Sequence, residues 1–302
     1  MISRRTFLKA FGAMVVAGVG LGSYAFGVEP LLRMNVTRYR LTPPRWPGEL
    51  QLRMAVIADI HACDPWMTLQ RVEKIVGATN SLKPDIILLL GDYVSGMRLV
   101  TEYVSSKDWA AVLADLEAPL GVHAVLGNHD WWEDKTAQRR RHGPTIAGNA
   151  LKDVGIPVYE NDAVRLKKDG RPFWLAGLGD QFAFIGRSKS GRRRYLGVDD
   201  LPGTLAKVSD DAPVILLAHE PDIFPKVPER VSLTISGHTH AGQVRLFGYS
   251  PIVPSRFGNR FAYGHVIEEG RHLLVSGGLG MSILPVRFGA PPEIVVVDLG
   301  KA

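Results

Sequence analysis

Five apolar runs in this chain each stop at an acid, an amide or an imidazole. Met54 to Ala58 stops at Asp59-Ile60-His61, Ile86 to Leu90 at Gly91-Asp92, and Val122 to Leu126 at Gly127-Asn128-His129-Asp130. Val214 to Ala218 stops at His219, and Val231 to Ile235 at Gly237-His238-Thr239-His240. Several runs are rich in Val, Ile and Leu and lack clean alternation, which suits strands covered on both faces. If each run is a strand, its polar terminus falls at one edge of a sheet, where open α/β sheets bind ligands.

Helical patterns separate the first three runs. Leu69, Val72 and Val76 share a face behind Thr68, a candidate N-cap. Trp109, Val112, Leu113 and Leu116 follow the i, i+3, i+4, i+7 spacing, and Ile146 to Val154 repeats it before Gly155. Strand, helix, strand, helix, strand implies parallel pairing. After Gly155 the runs shorten, as in Phe173 to Leu178, Leu273 to Ser276 and Ile294 to Leu299, with Gly and Pro between them, which points to a second sheet packed on the first. The expected fold is α/β, two mixed sheets packed as a sandwich flanked by helices. Because His219, His238 and His240 return in the second half, residues 53–302 read as one catalytic domain, with 28–52 a linker and first strand.

Residues 1–27 read differently. Ser3-Arg4-Arg5-Thr6-Phe7-Leu8-Lys9 precedes nineteen uncharged residues, Ala10 to Val28, and resembles a twin-arginine export signal. Ala25-Phe26-Gly27 offers small residues for cleavage. Left uncleaved, nineteen helical residues span about 28 Å, close to a bilayer core, and the basic end stays inside. The expected location is therefore periplasmic or on the outer face of the cytoplasmic membrane, with the export machinery as a partner. The single Cys63 lies far past this segment, which excludes a lipoprotein anchor and an internal disulfide.

Of the formal charge of +6, Arg4, Arg5 and Lys9 supply three, and the remaining +3 argues for no nucleic acid partner. The local clusters are more telling. Arg139 to Arg141, and Arg187, Lys189, Arg192, Arg193 and Arg194, fall in connecting segments that would either overhang the site and hold an anionic ester or membrane surface, or simply face solvent.

The chemistry follows from donor type. In an extended segment, residues i and i+2 point the same way, so Asp59 with His61 and His238 with His240 each aim two donors into one space. Asp92 offers a carboxylate to bridge two ions, Asn128 a neutral oxygen and His219 a nitrogen. Imidazole and oxygen without thiolate suit Mn, Fe, Zn or Co. Two divalent ions against two carboxylates leave about +2 in a cleft, which draws phosphate. Ions about 3.5 to 4 Å apart share a water and present it as hydroxide in line with the leaving group. His129 would protonate the leaving oxygen or stabilise its charge, and Asp130 would orient it.

The ordered set resembles the calcineurin-like metallophosphoesterase superfamily, whose pattern is DxH, GD, GNH(D/E), H, GHxH, over about Arg53 to Leu299. The resemblance implies a β-sandwich between helices. It implies Asp59, His61, Asp92 and His240 on one metal, Asp92, Asn128, His219 and His238 on the other, and His129 as the catalytic histidine. His219-Glu220-Pro221-Asp222, Gly242-Gln243 and the tail from Gly277 through Glu293 are similar to a bacterial exported or membrane-associated branch. Gly91-Asp92-Tyr93-Val94-Ser95-Gly96 lacks the Asp and Arg of the protein-phosphatase motif GDxxDRG, which argues against protein dephosphorylation. Ala241 stands where relatives often carry Gly.

The main reading is a phosphodiesterase with a metal-bridging hydroxide as nucleophile. The alternatives are a UDP-2,3-diacylglucosamine-type pyrophosphatase acting on a lipid-linked ester at the membrane, and a noncatalytic surface protein that keeps its metals. The third predicts a lost ligand or a lost His129, and neither is missing. His123, His142, His265 and His272 fit no motif and read as structural or surface groups. Trp131 and Trp132 read as core or as an apolar wall beside the site.

Overall fold

A computed structural model describes residues 3–187, 191 and 193–301. Lys189 and Arg192 of the second basic cluster lie outside the described residues, as do Met1 and Ile2.

The chain opens with α1 (Arg4–Ser23), whose first turn is capped by Ser3 Oγ accepting from Thr6 N. It continues through a π-helical turn, Tyr24–Val28, into α2 (Glu29–Leu32), so that Arg4–Leu32 forms one helix long and apolar enough to cross a membrane. None of the α1 side chains is buried.

The first half then runs β1 (Asn35–Leu41), β2 (Leu52–Ile57), β3 (Cys63–Asp64), α3 (Leu69–Ser81), β4 (Ile86–Leu89), β5 (Glu102–Tyr103), α4 (Ser106–Leu113) and β6 (Val122–Ala124). Three helices close it: α5 (Asn128–Trp132), α6 (Lys135–Arg140) and α7 (Ile146–Asp153). Thr68 caps α3 by accepting from Arg71 N, and Ser105 and Thr145 do the same for α4 and α7. Each hydroxyl satisfies an N–H that the helix start leaves free.

The second half runs β7 (Asp162–Lys168), β8 (Arg171–Gly177), β9 (Phe184–Arg187), β10 (Arg193–Leu196), α8 (Leu201–Ala206), β11 (Val214–Leu217), β12 (Leu233–Ser236), β13 (Gly264–Glu268), β14 (Arg271–Val275) and β15 (Glu293–Leu299). Two main sheets result, one ordered β1-β15-β2-β4-β6 and the other β13-β14-β12-β11-β8-β7. In the first, β2, β4 and β6 run parallel; in the second, β8, β11, β12 and β14 do. All parallel strands of one sheet therefore end on one side, and their terminal residues gather there.

The layers are held by three apolar clusters. Met54, Val56 and Leu88 meet Phe173, Leu175, Ile215 and Ile235 between the sheets. Ile57, Ile87 and Leu89 meet Val72, Ile75, Trp109, Leu113 and Leu151 beneath α3, α4 and α7. Ala176 and Leu216 meet Leu201, Phe224 and Phe261 on the far face. Each fully buried aliphatic or aromatic side chain contributes about 1.5–3 kcal/mol.

One placement differs from the sequence expectation. The run Ile294 to Leu299 joins the first sheet, not the second: β15 sits between β1, which it pairs in parallel, and β2, which it pairs antiparallel. A strand buried on both faces carries no mark of which sheet it enters.

Candidate metal centre

Six of the seven expected donors, all but Asn128, bring their ligand atoms together where the strands of both sheets end. Asp92 is the hub: its Oδ2 lies 3.5 Å from His61 Nε2 and 3.3 Å from His219 Nε2, and its Oδ1 accepts from the backbone N of His129 at 2.7 Å. His61 Nε2 is 3.1 Å from His240 Nε2. Three side-chain groups each bring their ligand atoms within 4.8 Å of one another: Asp59, His61 and His240; His61, Asp92 and His129; Asp92, His219 and His238. Asn128 enters beside them at the start of α5.

The backbone that achieves this is not extended. Asp59, His61, Asp92, His238 and His240 all have φ between 48° and 68°, so the zigzag expected to align Asp59 with His61 and His238 with His240 is absent. Left-handed turns at alternate residues aim the side chains inward instead. Asp and His tolerate that region better than bulkier residues, yet each such residue costs of order 1–3 kcal/mol. Ala241 shares the conformation at φ 51°, where Gly would be unstrained. Gly127 is required by proximity: a Cβ there would collide with Asp92 Oδ1 and the ring of His219.

Partners outside the cluster orient the rings. His61 Nδ1 faces Val94 O at 3.0 Å, His219 Nδ1 faces Leu90 O at 2.6 Å, and His238 Nε2 faces Pro254 O at 2.9 Å. Each carbonyl takes the outer N–H and leaves the inner nitrogen's lone pair for the centre. The Asp59 carboxylate accepts from His238 N at 2.9 and 3.1 Å, which ties the first sheet's loop to the second's.

Burial perturbs the whole set. It lowers His61 to about 4 and His238 to about 3, and pushes His240 well below the usual imidazole range, so these rings are neutral donors near pH 7. It raises Asp59 to about 7, with Asp92 adding to the effect. Burial would also raise Asp92, but His219 and then His129 outweigh it and hold that carboxyl well below the ordinary range. Asn128 Oδ1 and His219 Nε2 are buried with no hydrogen-bond partner. Unpartnered buried acceptors, neutral imidazoles and two carboxylates around one space fit a cation pair.

His129 stands at the mouth. Its Nδ1 is turned inward, 3.7 Å from Glu133 Oε1, and its Nε2 faces Ser282 Oγ at 3.4 Å. Burial would lower its pKa, but Asp92 and Glu133 together raise it. Asp130 does not touch this ring. Its carboxylate accepts from the backbone N of Asp92, Tyr93, Val94 and Gly127, all between 2.9 and 3.2 Å, and so clamps the Asp92 loop to the Asn128 loop. Glu133, one helical turn on, occupies the place expected of Asp130.

Trp131 is core, wholly buried against Phe184, whereas Trp132 is half-buried, with its ring 5.2 Å from that of His129 and stacked on Tyr195 of β10. The β9–β10 hairpin thus overhangs the site, with Arg187, Arg193 and Arg194 exposed on it. Arg139 to Arg141 instead bond to nearby groups, Arg141 donating to Ile185 O and Arg139 to Thr136 Oγ1. Two further groups escaped the sequence reading. Arg287 is buried, donates to the carbonyls of Gly277, Gly278 and Gly280, and reaches within 3.4 Å of His240 Nδ1. Asp180 lies buried beside Glu220 and next to His219, and burial, then the neighbouring carboxyl, pushes its pKa well up. A lone Arg or Asp among Gly and apolar residues carries no spacing signal.

Known proteins resemble this chain in sequence. The family model described as calcineurin-like phosphoesterase matches residues 52–242. The chain is 33% identical over 306 residues to an uncharacterized metallophosphoesterase, YkuE, of Bacillus subtilis, covering 99% of this chain and 98% of that one. It is 29% identical over 304 residues to phosphodiesterase YaeI of Escherichia coli, covering 99% and 100%. To a transmembrane protein with metallophosphoesterase domain of Danio rerio it is 28% identical over 311 residues, covering 99% of this chain and 63% of that one.

Proposed function

The chain belongs to the calcineurin-like phosphoesterase family, a metal-dependent phosphoester hydrolase, and we propose that it cleaves phosphodiesters at a two-ion centre on the outer face of the cytoplasmic membrane. In this reading Asp59, His61, Asp92 and His240 hold one ion, and Asp92, Asn128, His219 and His238 the other. The observation that carries it is the single Asp92 carboxylate lying within 3.5 Å of His61 Nε2 and 3.3 Å of His219 Nε2, one from each donor group. When bound, two divalent ions supply a water of lowered pKa and draw charge from the phosphoryl oxygens.

The protein's own groups do the rest. His129 Nε2, at the mouth, holds a proton for the departing oxygen, and Glu133 beside Nδ1 supports the charged ring. Asp130 and Arg287 are positioning residues: the first fixes the Asp92 and Asn128 loops, the second the glycine loop behind Asp59 and His240. With the phosphatase residues of GDxxDRG missing from the second motif and Trp132 and Tyr195 walling the mouth, an ester with two organic substituents fits better than a phosphoprotein. The basic Ser3-Arg4-Arg5 start and the apolar α1 support export by the twin-arginine route with α1 as the anchor.

The test is hydrolysis of bis(p-nitrophenyl) phosphate against p-nitrophenyl phosphate with added Mn or Zn. Diester turnover should exceed monoester turnover and stop with chelator. His129→Ala should keep its metals and lose about 10²–10⁴ in rate. Full activity of that variant, or turnover untouched by chelator, overturns the reading.

A further inference from the structure

The rim of the centre is apolar, exposed and built onto the base of the N-terminal helix. Helix and rim form one strip. Tyr24 meets the Phe288 ring edge-on at 5.9 Å, Ala25 O accepts from Arg287 N at 2.9 Å, and the buried Glu29 carboxylate accepts from Ala290 N at 2.7 Å. From Phe288 the strip crosses to the neighbouring segment, where Arg245 N donates to Phe288 O and Phe288 N to Gln243 O. Gln243 in turn accepts from Ser282 N and donates to Leu284 O. Ser282 Oγ is the group 3.4 Å from His129 Nε2.

Along this strip the chain points large apolar side chains into solvent. Ile283 is 78% exposed and Ile252 79%, with Leu246, Tyr249 and Leu284 also exposed. Phe247 is fully exposed at the tip of a two-residue hairpin turn, closed by Leu246 N to Tyr249 O and Tyr249 N to Leu246 O. Phe247 and Gly248 both have positive φ, the conformation in which Asn-Gly is preferred. Ile283 is also left-handed at φ 63°, which a β-branched residue avoids. Two apolar residues are thus held in unfavourable backbone to face outward, Phe247 fully and Ile283 78% exposed among the described residues.

α1 says what they meet. Its twenty residues span about 30 Å, the thickness of a hydrocarbon core, and no side chain of it is buried. Tyr24, bonded by Arg33 Nη1 at 2.8 Å, stands at its outer end, an aromatic–basic pair of the kind found at membrane surfaces. Since Tyr24 packs on Phe288, the apolar rim lies next to the point where the helix leaves the bilayer. Arg187, Arg193 and Arg194 flank the same mouth and complement anionic headgroups.

We infer that Phe247, Ile252, Ile283 and Leu284 form a bilayer-docking surface that holds the mouth of the metal centre in the headgroup layer, within reach of lipid phosphodiesters. The inference rests on the hydrolase reading for what the mouth does, but the docking is tested apart from it. Full-length protein is reconstituted in vesicles of phosphatidylcholine and phosphatidylglycerol, with an environment-sensitive dye on Phe247→Cys, Ile283→Cys or Asp169→Cys. The native Cys63 is buried, and Asp169 sits beside the Lys168–Asp85 pair at the opposite end of the strands. Doxyl-labelled lipid should quench the dye at 247 and 283 at least threefold more than at 169. Equal quenching at all three positions, or none at 247 and 283, overturns the docking. Concentration-dependent crosslinking between copies through position 247 without lipid quenching assigns the surface to a second copy and also overturns it. Loss of soluble-diester turnover in wild type would sink the hydrolase reading while leaving the quenching result intact.

Discussion

The two ends of the same strands are built to opposite rules. At the end where β2, β4, β6, β11 and β12 finish, five of the seven candidate donors are left-handed and buried acceptors go without partners. At the other end charges meet simple mates: Arg53 Nε bonds Asp298 at 2.7 Å and Lys168 bonds Asp85 at 2.9 Å, while the Arg53 backbone N donates to Asp85 at 2.8 Å. The difference teaches where the fold is stabilised and where it is taxed. The apolar layers between the ends offset the strain of the donor loops, and an ion bound there adds its own binding free energy to stability.

The largest test of that contrast is Asp92→Asn. The change keeps the side-chain oxygen that accepts from His129 N but removes the shared charge, and metal-dependent diester turnover should fall at least about 10³-fold in a steady-state assay. Retained turnover would break the comparison at its centre. Next is metal removal. An ion held at about a hundred times its Kd contributes about 2.7 kcal/mol to stability, so chelator should lower the wild-type melting temperature by calorimetry and leave Asp92→Asn unmoved. At the far end, Arg53→Ala removes a half-exposed pair, and a denaturant titration should register about 0.5 kcal/mol with turnover unchanged.

The smallest effect concerns acid. His265 and His272 face each other at 3.0 Å on β13 and β14, and burial lowers both below 6.5. The folded rings are neutral, so as pH falls through that value the unfolded chain binds more protons and stability declines. The double variant His265→Asn and His272→Asn should flatten that decline by about 1–3 °C in melting scans from pH 7 to pH 5. A steeper decline in the variant would reverse the sign assigned to this pair.

Much of the polar end was legible in the chain because Asp, Asn and His at the close of apolar runs have no packing reason to be there. Order and spacing point to Asp59, His61, Asp92, Asn128, His219, His238 and His240, and the fold brings the ligand atoms of the six acids and imidazoles among them close together. How they meet was not legible. Zigzag geometry is the default after a strand, and the left-handed turns at Asp59 and His238 are imposed by contacts across sheets, such as His238 N on the Asp59 carboxylate. Glu133 beside His129 was hidden by the nearer Asp130, whose side chain four backbone amides had already claimed. The helices at 69–81, 106–113 and 146–153 show through their periodicity, with Thr68 and Gly155 marking one end each of the first and third, whereas the sheet taken by β15 depends on partners far along the chain.

That strand has a consequence in time. β15 lies between β1 and β2 yet is the last of the described strands to leave a ribosome, so β1 and the outer edge of β2 have no neighbour until residues 293–299 emerge. The first sheet can therefore zip shut only after translation of residues 293–299, and the half-made polypeptide exposes two waiting edges to any chaperone that meets it.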